Sequence, residues 1–155
     1  MAIETTEHTY AARLAWAGDT GAGYRAYDRN HTAGPPGLDV ELSADPAFRG
    51  DPGRLNPEQL LVMAASSCQL LSFLALAARH RVSVTGYEDD AIGVMPMDSR
   101  PVRITRIVLR PRVTVAPGTD HALVERLLHQ GHDECYIASS LTTEVLLEPS
   151  IVDSD

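Results

Sequence analysis

Hydrophobic and polar positions divide this chain into strand-like stretches at both ends and one long uncharged stretch in the middle. Residues 9–16 and 24–28 read as strands, with Gly18-Asp19-Thr20-Gly21-Ala22-Gly23 between them as a hairpin-like turn. Leu38-Asp39-Val40-Glu41-Leu42 alternates apolar and charged residues, the pattern of a half-buried strand. Pro46, Gly50, Pro52 and Gly53 make residues 45–54 a loop. Asn56 is then a good helix cap, Pro57 suits the first helical position, and Gln59 stands three residues after the cap. No charge occurs from Leu60 to Ala78, and Arg79, His80 and Arg81 follow as cations suited to a helix C-terminus. Residues 82–93 and 104–115 are rich in Val, Ile and Tyr and read as strands. Asp120 can cap a second helix through about His129, residues 135–141 form a short helical candidate, and residues 142–147 read as a closing strand. This order predicts an α+β fold with mainly antiparallel sheets around a central apolar helix.

The nineteen uncharged residues 60–78 are long enough to raise a membrane span. Ser66, Ser67, Gln69 and Ser72 fall inside the segment, and no second candidate exists. The expectation is a core helix wrapped by sheet, with no membrane.

Composition narrows the partners. A chain of 155 residues with 44% hydrophobic and 22% charged content fits one globular domain, residues 1–155. Its formal charge of −8, with no basic run, is the wrong sign for non-specific binding to nucleic acid or anionic membrane. All 13 basic residues are Arg, so Schiff-base and lysine-nucleophile chemistry are excluded. The acidic, polar start from Met1 to Glu7 lacks a signal pattern, which predicts a cytoplasmic protein.

Two Cys remain as the candidate chemistry. In a cytosolic chain a pairing between them is transient and catalytic or redox-sensing rather than a staple; the alternative is two buried small hydrophobes that never meet. Cys68 sits mid-helix between Ser67 and Gln69, a place where Cys often only fills a core. Cys135 precedes the short helical candidate, where a helix dipole favours a thiolate, although Asp133 and Glu134 oppose it. His129, His132 and Cys135 form an H-x2-H-x2-C cluster without a CxxC partner, so no metal is expected. His31 and His121 are isolated. No dinucleotide, phosphate-loop, HExxH or GxSxG motif occurs.

The segment Asn56-Pro57-Glu58-Gln59-Leu60-Leu61, with Cys68 seven residues further on, resembles the helix opening of the OsmC/Ohr family, and Cys135-Tyr-Ile-Ala-Ser-Ser-Leu resembles its C-terminal motif. The likeness runs from about Thr9 to Glu148. It implies an OsmC-like, intertwined homodimer that reduces organic hydroperoxides without cofactor or metal. In that resemblance Cys68 matches the peroxidatic thiol, Cys135 the resolving thiol, and Glu58 the carboxylate that holds a catalytic Arg. The Arg is Arg25 in the Ohr-type pattern and Arg49 in the OsmC-type pattern. The resemblance further implies recycling by a lipoyl-type or other dithiol. A non-enzymatic redox sensor or small-ligand binder of the same fold is the competing reading. Glu58 precedes Cys68 by ten residues, about 15 Å along a continuous helix. Either that helix breaks or a partner subunit completes the site.

Overall fold

The computed structural model describes residues 6–155. Contacts gather into two compact units, one ending at Pro57 and the other spanning Glu58–Asp155.

The N-terminal unit is an antiparallel meander of β1 (Arg13–Ala15), β2 (His31–Gly34) and β3 (Val40–Leu42). Leu14 pairs with Ala33, and Thr32 with Glu41. The strand expected at residues 24–28 is instead a compact turn, and β2 begins at His31. The cause is Arg29. Its guanidinium lies 3.9 Å from the Tyr27 ring centre and 4.9 Å from that of Tyr24, and it donates to the carbonyls of both at 2.7 Å. Trp16 Nε1 donates to Asp28 O at 2.8 Å and ties the turn to the end of β1. Gly34 must lack a side chain, since a Cβ there would lie 1.8 Å from Leu38 O.

In the C-terminal unit α1 (Pro57–Arg79) is one unbroken helix of 23 residues. It ends where Arg81 takes a left-handed φ of 56°. Val82 N then donates to Ala77 O at 2.9 Å and Arg81 N to Ala78 O at 3.1 Å, which satisfies the last carbonyls. Six strands follow: β4 (Val84–Asp89), β5 (Ile92–Val94), β6 (Arg106–Leu109), β7 (Pro111–Val115), β8 (Glu144–Leu147) and β9 (Ser150–Asp153). They make two sheets, β4-β7-β9 and β5-β6-β8. The expected antiparallel pairing holds for β4·β7 and β5·β6, but β6·β8 and β7·β9 are parallel. The sheets are mixed because the chain passes through α2 (His121–Asp133) and α3 (Tyr136–Ser139) before returning beside β6 and β7.

The two sheets are three long strands bent at one level. The breaks fall between β4 and β5, at Arg110, and at Glu148-Pro149. Asp89 stitches them: Oδ1 accepts from Arg110 N at 2.7 Å, and Oδ2 accepts from Ser66 Oγ of α1 at 2.5 Å. Arg110 Nε pairs with Glu148 at 3.0 Å. The bend lets one helix cover both sheets. Ala65 in the first half of α1 packs with Ile104, Ile107 and Leu109, while Phe73, Leu76 and Ala77 pack with Val113, Val115 and the α2 residues Val124, Leu127 and Leu128.

The helix is less covered than its composition predicts. Only 28% of its most apolar window is buried, and by length and composition alone it could cross a membrane. Met63, Leu71 and Leu74 form an exposed stripe.

Candidate active site

Two contacts fix α2 against α1 one turn beyond Cys68. Gly131 is buried where a Cβ would come within 3.1 Å of Phe73 N and 3.2 Å of its Cα, so a larger residue would force the two helices apart by a few tenths of an ångström. Gln69, fully buried, donates from Nε2 to Leu128 O at 3.0 Å. The expected Asp120 cap is present, accepting from Ala122 N at 3.0 Å and Leu123 N at 3.3 Å. The helix runs to Asp133, four residues beyond the expected end at His129. That extra turn delivers Cys135 as the residue before α3.

Cys68 and Cys135 are both free thiols, and each acts on the ionisation of the other. Burial works against ionisation of Cys68. It is outweighed by the Cys135 thiol, the amides of Ile137 and Tyr136, and the Ser72 hydroxyl, all donating to the sulfur, so the Cys68 thiol is held below its ordinary range. The two amides are first-turn groups of α3 that have no partner within the helix. Burial, and then its bond to Cys68, push the Cys135 thiol up. The helix start near Cys135 therefore serves both sulfurs: amides of α3 favour either thiolate, but at Cys135 burial and the Cys68 thiol outweigh those of Ala138 and Ile137. One thiol is poised to ionise, and the other holds its proton against it.

Cys68 opens onto a cleft of about 270 Å³. Leu71, Ser72, Ala75 and Arg79 of α1 line it together with Glu134 and Tyr136. Cys135 is buried beneath, 1% exposed. Arg79, Glu134 and Tyr136 were not singled out as site residues from sequence. The signal was present in part, because Cys68, Ser72, Ala75 and Arg79 follow the four-three-four spacing of one helix face.

The remaining sequence candidates are not among the residues that line this cleft. Because α1 is unbroken, Glu58 stays about 15 Å along the axis from Cys68, and the broken-helix option is closed. Arg25 and Arg49 belong to the N-terminal unit, and both are exposed. Arg25 follows Gly23 in the turn, and Arg49 closes a 3-10 turn over Pro46–Phe48 with a left-handed φ of 67°. The donors that lower the Cys68 thiol are a thiol, two amides and a hydroxyl, none of them an arginine. Among the described residues, His129, His132 and Cys135 do not form a group able to hold a metal ion.

An α+β fold that sets a partly exposed thiol on a long helix against a buried thiol before a short one defines a class of two-cysteine proteins. The model of that class described as OsmC-like protein matches residues 50–150, and the chain belongs to this family. A solved OsmC-like protein of unknown function from Vibrio cholerae is 30% identical, with a TM-score of 0.85 over 93% of this chain and 100% of that one. The organic hydroperoxide resistance protein of Elizabethkingia anophelis is 13% identical, with a TM-score of 0.68 over 96% of this chain and 100% of that one. Its counterpart OsmC from Legionella pneumophila is 16% identical, with a TM-score of 0.64 over 94% and 98%. These two share the fold. No curated protein matches the sequence.

Proposed function

We propose that the protein is a thiol-dependent peroxidase that reduces organic hydroperoxides to alcohols in the cytosol. The observation that carries this reading is the asymmetric thiol pair: Cys68 held toward thiolate and open to a cleft, Cys135 held protonated and buried against it. In the first step the Cys68 thiolate attacks the distal peroxide oxygen and the O–O bond breaks. The alkoxide takes a proton and leaves as alcohol, and Cys68 becomes a sulfenic acid. Cys135 then attacks Cys68 Sγ, its thiol proton joins the departing hydroxide as water, and a Cys68–Cys135 disulfide forms. An external dithiol of the lipoyl type reduces it by thiol–disulfide exchange.

The cleft supports an organic substrate, since Leu71 and Ala75 give it an apolar wall and each buried CH2 contributes about 0.8 kcal/mol. Turnover of tert-butyl or cumene hydroperoxide should exceed that of hydrogen peroxide by about tenfold or more in kcat/KM. Equal efficiency would contradict the substrate assignment. A protein that forms the disulfide but cycles too slowly to clear peroxide would instead be a sensor.

The active form is a homodimer. Support comes from the exposed apolar stripe of α1, where Leu71 is 64% exposed, and from the distance of Glu58 from its own Cys68. A second copy supplies the missing cover and brings Glu58 with Arg25 or Arg49 to the thiolate. Light scattering at micromolar concentration should report a dimer; an active monomer would overturn this.

A further inference from the structure

Reduction of a disulfide needs a thiolate to reach one of its sulfurs along a clear line. Cys135 is 1% exposed beneath the cleft, whereas Cys68 forms part of the cleft wall. The two thiols are already in contact, so pairing them does not require Cys135 to come to the surface. The cleft that admits peroxide is therefore also the route for the reductant, and Cys68 is the sulfur it meets.

The same wall carries a cation. Arg79 is exposed, lines the cleft, and pairs with no carboxylate among the described residues. It lies eleven residues beyond Cys68, three turns or about 16 Å along the helix before the reach of either side chain is counted. An arginine fork recognises a carboxylate through two parallel hydrogen bonds. Glu134 lines the same cleft, where Gln130 Nε2 donates to its Oε1 at 2.9 Å. Arg79 and Glu134 offset each other in formal charge, so what favours an anionic group is the unpaired guanidinium fork of Arg79 itself.

We propose that a carboxylate-bearing thiol is the reductant this cleft selects: it attacks Cys68 Sγ while Arg79 holds its remote carboxylate. Its thiolate bonds to Cys68 and the Cys68–Cys135 bond breaks, leaving Cys135 as a thiolate that takes up a proton. A second thiol, on the same molecule or another, then attacks the mixed disulfide and frees Cys68. This inference rests on reading Cys68 and Cys135 as a redox pair. It is independent of which peroxide oxidises them.

Dihydrolipoate and dihydrolipoamide carry the same dithiol and differ in charge at the far end. Full-length protein oxidised with diamide, with no peroxide present, should be reduced faster by dihydrolipoate, by about two- to fivefold as expected for an exposed charge pair. Arg79→Gln should bring the ratio of the two rates to about one, Arg79→Lys should restore most of the preference, and Glu134→Gln should widen it. An unchanged ratio in Arg79→Gln overturns the role of Arg79. In a second arm the oxidised protein meets mercaptopropionate and is quenched with N-ethylmaleimide under denaturing conditions. The adduct should map to Cys68, and an adduct on Cys135 overturns the attack site. If diamide forms no disulfide at all, the redox pair itself falls, an outcome distinct from either.

Discussion

The two units of this chain solve the problem of burial differently. In the C-terminal unit Phe73, Ile107, Val113, Val115, Val124 and Leu128 have no exposed surface, and a single helix is enclosed on one side by two sheets and α2. The N-terminal unit has the same strand chemistry but almost no interior. Leu42 is its one buried hydrophobic among the described residues, while Leu14, Trp16 and Leu38 stay exposed at 64%, 40% and 58%. A three-stranded meander with so little buried apolar surface is not stable by itself. The contrast shows which unit has an apolar interior of its own and which does not. The thiol pair stands in the C-terminal unit, and the candidate arginines Arg25 and Arg49 in the N-terminal one.

That contrast can be broken by mutation. Phe73→Ala should cost about 3–5 kcal/mol in denaturant unfolding, because its cavity forms between α1, α2 and β7 where nothing can collapse freely. Leu14→Ala should cost under about 1 kcal/mol as an exposed side chain, with any larger loss appearing only in proportion to dimer formation. A Leu14→Ala cost matching that of Phe73→Ala would show that the N-terminal unit has an interior of its own. Gly131→Ala should cost about 1–3 kcal/mol by overpacking against Phe73. It should also slow alkylation of Cys68, because it pushes Cys135 and the α3 amides away from the sulfur; unaltered alkylation would separate the helix contact from the site. Asp120→Ala, which removes only the cap of α2, should cost about 1 kcal/mol.

The pH dependence sharpens the same distinction between the thiols. With Cys68 held low, its iodoacetamide rate should reach its plateau at a lower pH than that of an ordinary free thiol and fall as pH drops through the lowered value. Cys135, held high and buried, should stay unmodified in the folded protein over that range. Mass mapping after alkylation at several pH values checks both, and equal labelling of the two would contradict the asymmetry.

Local chemistry that acts within a few residues was legible in the sequence. Asn56-Pro57 announces α1, Asp120 announces α2, and the alternation at residues 38–42 announces β3, since each signal depends on its own neighbours. Residues 24–28 misled because their Tyr content suits a strand, while Arg29, reaching back to two carbonyls, decides the turn. The parallel pairs β6·β8 and β7·β9 depend on where a chain returns after two helices, which no local period encodes. The two thiols were singled out by motif and position. Their opposite shifts were not, because the amides of α3 act on both sulfurs, as the dipole argument expected for Cys135, and it is burial and the contact between the thiols that push Cys135 the other way.

The central claim is that Cys68 attacks and Cys135 resolves, and one equivalent of an organic hydroperoxide tests it. Cys68→Ser should consume none. Cys135→Ser should consume the full equivalent, lose steady turnover with a dithiol, and under excess peroxide carry Cys68 on to sulfinic or sulfonic acid. The wild-type chain should instead form the Cys68–Cys135 disulfide, read by mass as the loss of two hydrogens. Equal loss of the first turnover in both variants, or no disulfide in the wild type, would contradict the assignment.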